Sequence, residues 1–355
     1  MAELADPESA QFKARRAQNW VFLGLMYAMF YMGRYNFAAV NALLADHFGW
    51  SNANLGNVIF AGKLCYGISV FVNGPLADRI GGKRAILIGA CGAALFNLLF
   101  GAFGAWVLDG NAVWSPDHKT VISEAVLNGG MTTSTVVATF AILWALNHYF
   151  QSFGALSIVK INAAWFRVNE RGSFAGIFGI MIQSGRMLAF VVGPLIAGSL
   201  PWQWVFWVPA ALLLVLVVLN KLLVENTPED AGLGELKTGD EVAGEEGQGG
   251  LAFVLQKVFA NPQMWIIALA SMMIGFVRNG TDDWFPKFFS NVYSAAMLAK
   301  GMQMTLVQSG ALVGSIVVIV AILQLKKVVD RRKDWTAGKR FGVTFSSVAV
   351  LFFLI

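Results

Sequence analysis

The sequence predicts an all-α polytopic membrane protein, and three observations predict it. Of 355 residues, 57% are hydrophobic and only 13% charged, whereas soluble domains carry about 25% charged residues. Apolar runs of about 20 residues, enough helix to cross a ~30 Å hydrocarbon core, recur along the chain, and the mean hydropathy is +0.61. Lys and Arg gather on every second connection between those runs, as orientation in a bilayer requires.

The elements follow in order. Residues 1–19 are polar, carry Lys13, Arg15 and Arg16, and read as a cytoplasmic tail leading into an uncleaved first span. Spans are expected at 20–44, 55–73, 85–108, 137–163, 173–198, 205–224, 263–285 and 304–325. A ninth begins near 341 and reaches only Ile355, too short to cross, so the sequence is expected to be a fragment or a truncated product. With the N-terminus inside, cytoplasmic segments hold 18 Lys and Arg, and outer segments hold three (Lys119, Lys287, Lys300). That asymmetry predicts a multi-pass protein of the plasma (inner) membrane with a cytoplasmic N-terminus. It also explains the net charge of +5 without nucleic acid as a partner. "LPWQWVFW" places Trp202, Trp204 and Trp207 at an outer turn, where indoles anchor at the interface.

Cys65 and Cys91 lie inside apolar runs and make no disulfide framework or zinc pattern. His47, His118 and His148 have no metal-ligand spacing. His148 falls within a span and either lines a cavity or is a packed, hydrogen-bonded histidine. No metal and no cofactor are expected. No nucleophile–base pair appears, so the sequence does not read as an enzyme.

One segment differs from its surroundings. "ENTPEDAGLGELKTGDEVAGEEGQGG" is acidic, glycine-rich and nearly free of large apolar residues, and reads as a flexible cytoplasmic linker. It divides the chain into a tail (1–19), a six-helix bundle (20–224), a linker (225–262) and an incomplete second bundle (263–355). The two sides look related. Trp20 opens the first span and Arg34 follows 14 residues later; Trp265 opens the seventh and Arg278 follows 13 later. At 1.5 Å per residue each arginine lies about 20 Å into its helix. Repeats with a site at their interface are a transporter signature.

Five basic residues fall within spans: Arg34, Lys63, Lys160, Arg186 and Arg278. No Asp or Glu lies in a span interior, Asp282 and Asp283 coming closest, one turn past Arg278. A charge at the bilayer centre costs roughly 2.5–3.5 kcal/mol on insertion scales, which snorkelling relieves for Lys160 and Arg186 more readily than for Arg34 and Arg278. Those two either pair structurally with carbonyls or an unseen carboxylate, or line a cavity that binds an anion. Arginine suits phosphate, since its planar fork donates two parallel hydrogen bonds. An interior without titratable carboxylates argues against a proton-coupled cation exporter and favours exchange of one anion for another.

"GPLADRIGGKR" lies between spans two and three. It resembles the signature loop of the major facilitator superfamily at Gly74, Leu76, Asp78, Arg79, Gly81, Lys83 and Arg84. The resemblance implies two six-helix halves, the second truncated here, and a conformational latch at Gly74, Asp78, Arg79, Gly81 and Arg84. In that family the latch meets the eleventh helix, which this sequence does not reach. Within the superfamily the chain is most similar to the organophosphate:phosphate antiporters, such as the glycerol-3-phosphate and hexose-6-phosphate carriers. "YMGRYNF" carries the likeness at Tyr31, Arg34, Asn36 and Phe37. "RNGTDDWFP" carries it at Arg278, Gly280, Asp283, Trp284 and Pro286, and "WFRVNERG" and "ENTPEDAGL" extend it. "GPLIAG" (193–198) is similar to an antiporter motif of the fifth helix, and close helix packing explains it equally well.

The resemblance implies that Arg34 and Arg278 hold the phosphate group between two rocking halves, with Tyr31, Asn36, Lys63 and Lys160 beside it. It implies an anionic small molecule and inorganic phosphate as ligands, the bilayer as surroundings, and a monomer. There are departures. The family's second-helix lysine is Val70 here, and Lys63, two turns earlier, either substitutes at another depth or lines the cavity. The histidine before the fourth-helix tryptophan is Ala164, with Lys160 one turn away. Arg186 occupies a glycine-rich stretch of the fifth span. These changes bear on the organic part of the substrate. Two other readings share the same anion site: a transporter-like receptor for sugar phosphates, and a major facilitator carrier of another organic anion.

Overall fold

In a computed structural model, described for residues 4–108, 131–239 and 259–298, every long element is a helix. They are α1 (Ala10–Phe48), α2 (Asn52–Ile80), α3 (Gly82–Val107), α4 (Thr133–Trp165), α5 (Val168–Ser199), α6 (Trp204–Leu223) and α7 (Pro262–Leu298). Each of the first seven expected spans matches one helix, the third and sixth overrunning theirs by one residue; the eighth and ninth lie outside the described residues. The chain divides into two compact units, Met1–Ser290 and Asn291–Ile355. All contacts described below belong to the first.

Within that unit α2 packs on α4, α4 on α3, α3 on α6, and α1 on α5 and α6. Five helices (α2, α3, α5, α6, α7) contain stretches long and apolar enough to cross a membrane. Helices α1 and α4 are less apolar because they carry buried polar side chains such as Asn36, Asn147 and Gln151. Glycine allows one of the closest approaches. A Cβ on Gly185 of α5 would run into the Ala28 backbone of α1, so only glycine lets these two helices meet there.

Buried aromatics form two groups. Phe12, Tyr27, Phe30 and Trp165 lie towards the end that carries the N-terminus. Phe37, Trp50, Phe100, Phe140, Trp144, Trp202 and Phe206 fill the opposite end. Trp202 is 2% exposed, and Trp207 Nε1 donates to the Leu98 carbonyl at 3.2 Å. The outer tryptophans are therefore not all interfacial anchors. Trp204 remains exposed. Trp207 closes the α3–α6 seam through its indole bond, which lowers the cost of burial, while Trp202 is buried by ring packing against Phe48 and Phe206, its Nε1 having no hydrogen-bond partner among the described residues.

The N-terminal end departs from a loose tail and a loose linker. Helix α1 starts at Ala10, where the Ser9 hydroxyl accepts the Phe12 N–H at 3.2 Å. Phe12 is buried against Trp165. Residues 225–239, expected to be flexible, are folded onto the bundle. Ala5 donates to the Glu235 carbonyl at 2.9 Å and Val168 to the Thr238 carbonyl at 3.0 Å. Leu236 is 8% exposed, with Leu233 packed nearby. Composition misled here: one well-placed leucine and a set of polar bonds suffice to dock a polar segment. Glu225 ties the ends together. Its carboxylate pairs with Lys83 at 2.9 Å and Arg15 at 3.8 Å, and its carbonyl accepts Trp165 Nε1 and Asn19 Nδ2, each at 3.1 Å. Gly81, at φ +86°, is the one-residue link between α2 and α3 and has no side chain to cap α3. Asn226 Oδ1 supplies that cap by accepting the Lys83 N–H at 2.7 Å.

Replacing Leu236 with Asp should release this segment. The expected outcome is faster limited proteolysis within 225–239, with far-UV helicity unchanged. Equal cleavage rates in the two proteins would contradict the docking.

Candidate functional site

Tyr27, Tyr31, Arg34 and Tyr35 share one stripe of α1 because they recur at helical spacing. Neighbouring rings meet along it: Tyr27 edge-on to Tyr31 at 5.1 Å and Tyr31 stacked on Tyr35 at 5.8 Å between centroids. The Arg34 guanidinium lies 4.9 Å from the Tyr31 ring and 4.6 Å from the Tyr66 ring of α2. Aromatic faces attract a cation and remove little of its hydrogen-bonding capacity. From α4, Gln151 accepts Arg34 Nε at its Oε1 (3.3 Å) and Arg34 Nη2 at its carbonyl (3.4 Å).

Gln151 is itself held. Its Nε2 donates to Asn147 Oδ1 at 3.3 Å, and Asn147 Nδ2 donates to the Ala93 carbonyl of α3 at 3.0 Å. With its amide nitrogen spent on Asn147, the side chain presents oxygen to Arg34. Among the described residues no carboxylate lies within ion-pair distance of Arg34, and its Nη1 makes no hydrogen bond. This is a half-buried guanidinium, fixed on two sides and still able to donate.

Asn36 does not share that site. Two residues along a helix is a rotation of about 200°, so Asn36 faces away from Arg34. It is 1% exposed, and its Nδ2 donates to Asn97 Oδ1 at 2.8 Å and to the Val205 carbonyl at 3.4 Å. It locks α1 to α3 and α6. Asn97 continues the chain, donating to Ala93 O at 2.9 Å and Gly33 O at 3.4 Å. The Asn36 and Gln151 networks thus converge on the Ala93 carbonyl.

A second station lies one turn along, around Tyr35. Lys63 Nζ of α2 is 5.7 Å from the Tyr35 ring centroid and Arg186 Cζ of α5 is 5.9 Å from it. Each is paired with an acid of α7: Lys63 with Asp283 at 3.3 Å, Arg186 with Asp282 at 3.1 Å. Lys63 also donates to Asn279 Oδ1 at 3.4 Å, and Asn41 Nδ2 of α1 donates to the Asp283 carbonyl at 2.6 Å. The expectation of an interior without acids is therefore corrected. Asp282 and Asp283, read as lying near the outer end of span seven, are 7% and 8% exposed. Helix α7 runs to Leu298, which leaves both well inside it, facing cations of α5 and α2.

Lys160 is placed elsewhere than expected. Its Nζ donates to Asp78 Oδ1 at 3.0 Å and to the Asp78 and Ala77 carbonyls at 2.9 and 3.4 Å. It belongs with the signature loop, where it satisfies the last carbonyls of α2. Asp78 meets this lysine rather than an arginine; Arg79 and Arg84 are exposed, and nothing lies close to Gly74. His148 is 2% exposed, and its Nδ1 meets the Trp144 carbonyl at 3.0 Å, which makes it a packed, hydrogen-bonded histidine. Its ring stands edge-on to Tyr66. Trp284 packs on the outer aromatic group. Arg278 is exposed within the described residues, and no described contact joins it to Arg34. Sequence reasoning missed Gln151, Tyr66, Asn41 and Asn279. For Gln151 a signal was available, since a glutamine deep in an apolar span needs a partner.

Comparison with known proteins agrees with this architecture. The Major Facilitator Superfamily model matches residues 23–355, and the chain belongs to that superfamily. The glycerol-3-phosphate transporter of Bacillus subtilis is 28% identical over 295 residues, covering 79% of this chain and 59% of that protein. The membrane sensor protein UhpC of Escherichia coli is 23% identical over 316 residues, covering 87% and 65% respectively. The chain thus spans 59–65% of the length of these two relatives. Among solved structures, a bacterial homolog to the human lysosomal transporter Spinster superposes with a TM-score of 0.58 at 14% identity. That match covers 92% of this chain and 65% of the other, and it concerns the fold.

The Lys63–Asp283 pair is testable as a coupled unit. Lys63→Met leaves a mostly buried carboxylate without its cation and should cost about 1–3 kcal/mol. Lys63→Met combined with Asp283→Leu should recover most of it. Thermal unfolding in detergent reads the cycle, and strictly additive losses would show that the pair does not couple.

Proposed function

We propose that this protein is a secondary carrier that exchanges a phosphorylated organic metabolite for inorganic phosphate by alternating access. The observation that carries the proposal is Arg34: half-buried, held by Gln151 and two tyrosine rings, and without a carboxylate partner among the described residues. A partly buried cation with an unspent donor has an anion as its natural complement. The charge sum points the same way. Lys63 and Arg186 pair with Asp283 and Asp282, which leaves Arg34 and Arg278 as two positive charges that a phosphate dianion balances. An empty positive site crosses between states less readily than a loaded one, and that coupling makes exchange the natural mode.

In this reading Arg278 supplies the second arm of the phosphate clamp, and the acidic segment after α6 joins two halves that rock about the site. The N-terminus, the signature loop and residues 225–239 face the cytoplasm, consistent with the distribution of Lys and Arg. The cargo is an organic phosphate such as a glycerol or sugar phosphate. The similarity to a glycerol-3-phosphate transporter supports that class. A second reading is favoured by the similarity to a membrane sensor protein: the same site binds a sugar phosphate and reports occupancy without transport.

Labelled phosphate uptake into phosphate-loaded proteoliposomes of the complete gene product separates the two. Exchange is expected, and Arg34→Ala or Arg278→Ala should abolish it while membrane insertion is retained. Wild-type exchange in either variant would remove the clamp. Phosphate binding without exchange would favour the sensor.

A further inference from the structure

His148 is a buried polar side chain to which the proposed exchange gives no task. It lies on α4 and is 2% exposed, where an apolar ring would pack at lower desolvation cost. Its Nδ1 is 3.0 Å from the Trp144 carbonyl. A carbonyl only accepts, so Nδ1 carries the hydrogen. That bond, one turn back along the same helix, fixes the tautomer and the way the imidazole faces.

What the imidazole faces is α2. A Cβ on Gly62 would fall 3.0 Å from His148 Nδ1 and 2.6 Å from Trp144 Cδ1. Glycine there lets the Trp144–His148 ring pair, 4.8 Å between centroids, pack directly on the α2 backbone. Tyr66 stands one turn beyond Gly62. His148 meets its ring at 84°, with centroids 6.4 Å apart, and the same ring lies 4.6 Å from the Arg34 guanidinium. Tyr66 is half-buried, and such a side chain has more than one staggered rotamer open to it. An aromatic neighbour at right angles, anchored in turn to a backbone carbonyl, selects the rotamer that covers Arg34. Helix α4 therefore holds the guanidinium twice: directly through Gln151, and indirectly through His148 and Tyr66. Residues 148 and 151 are three apart and share a face of α4.

We infer that His148 is a positioning residue for anion binding: its ring keeps Tyr66 against Arg34, and so fixes the guanidinium whose unspent donor the anion takes. This inference rests on the phosphate reading of Arg34. The effect falls on affinity rather than turnover, because a guanidinium free to swing must be ordered each time an anion binds. The two parts of the imidazole have separate tasks. Nδ1–H anchors the ring to α4, and the body of the ring sets Tyr66.

The test is a mutant cycle in the phosphate-exchange assay with the complete gene product. His148→Asn keeps a donor for the Trp144 carbonyl and removes the ring. It should raise the KM for phosphate about 3-fold to 10-fold, the value of a weakened cation–ring contact, with Vmax nearly unchanged. His148→Phe, which keeps a ring and loses the donor, should restore most of that affinity. Tyr66→Leu should raise the KM at least as much, and adding His148→Asn to it should change nothing further, since His148 acts through Tyr66. If His148→Asn does not fold, His148→Leu takes its place in the cycle, filling the volume without an aromatic ring. An unchanged KM, a loss confined to Vmax, or losses that add in the double variant overturn the inference. Wild-type protein that binds phosphate without exchanging it removes the carrier reading alone; phosphate-induced thermal stabilisation then replaces KM in the same cycle, with the same outcomes deciding. Wild-type protein that neither binds nor exchanges phosphate overturns both.

Discussion

A guanidinium placed deep in an apolar helix bundle dictates much of what surrounds it. Arg34 stays protonated in any protein setting, so the fold must accommodate a permanent cation in apolar surroundings. The solution uses soft partners. Tyrosine faces from α1 and α2 and one glutamine from α4 hold the group, and none of them carries a charge. A carboxylate would have neutralised the group. The same requirement reaches outward. Gln151 must present its oxygen, so Asn147 takes its nitrogen, and Asn147 in turn needs the Ala93 carbonyl. Asn97 uses that carbonyl again and reaches back to Asn36 and Gly33 on α1. One charged side chain is thereby coupled to the packing of three helices through fully buried amides, which are costly to leave unpaired.

The second station is built on the opposite principle. Lys63 and Arg186 face acids, so their charge is cancelled locally, and both acids belong to α7. The contrast divides the work. Unpaired Arg34 provides a permanent positive field. The paired cations attach α7 to α2 and α5. A third pair, Lys160 with Asp78, lies outside both stations and fixes the end of α2 at the signature loop. Position along the bundle, not residue type, sets these three roles.

The helices and the Arg34 site were legible in the sequence because hydropathy and charge leave one-dimensional traces. Seven spans needed only run lengths. Arg34 needed only the observation that its segment was otherwise apolar. What escaped depends on rotation and on distance in space. Asn36 looked like a neighbour of Arg34 in "YMGRYNF", yet two helical residues separate opposite faces. Asp282 and Asp283 read as end-of-span residues because the run of apolar residues ends near them while α7 continues to Leu298. Lys160 and Asp78 are 82 residues apart in sequence and 3.0 Å apart in space. The acidic segment after α6 misled for another reason: its average composition hides Leu236, whose burial pins the segment to the bundle.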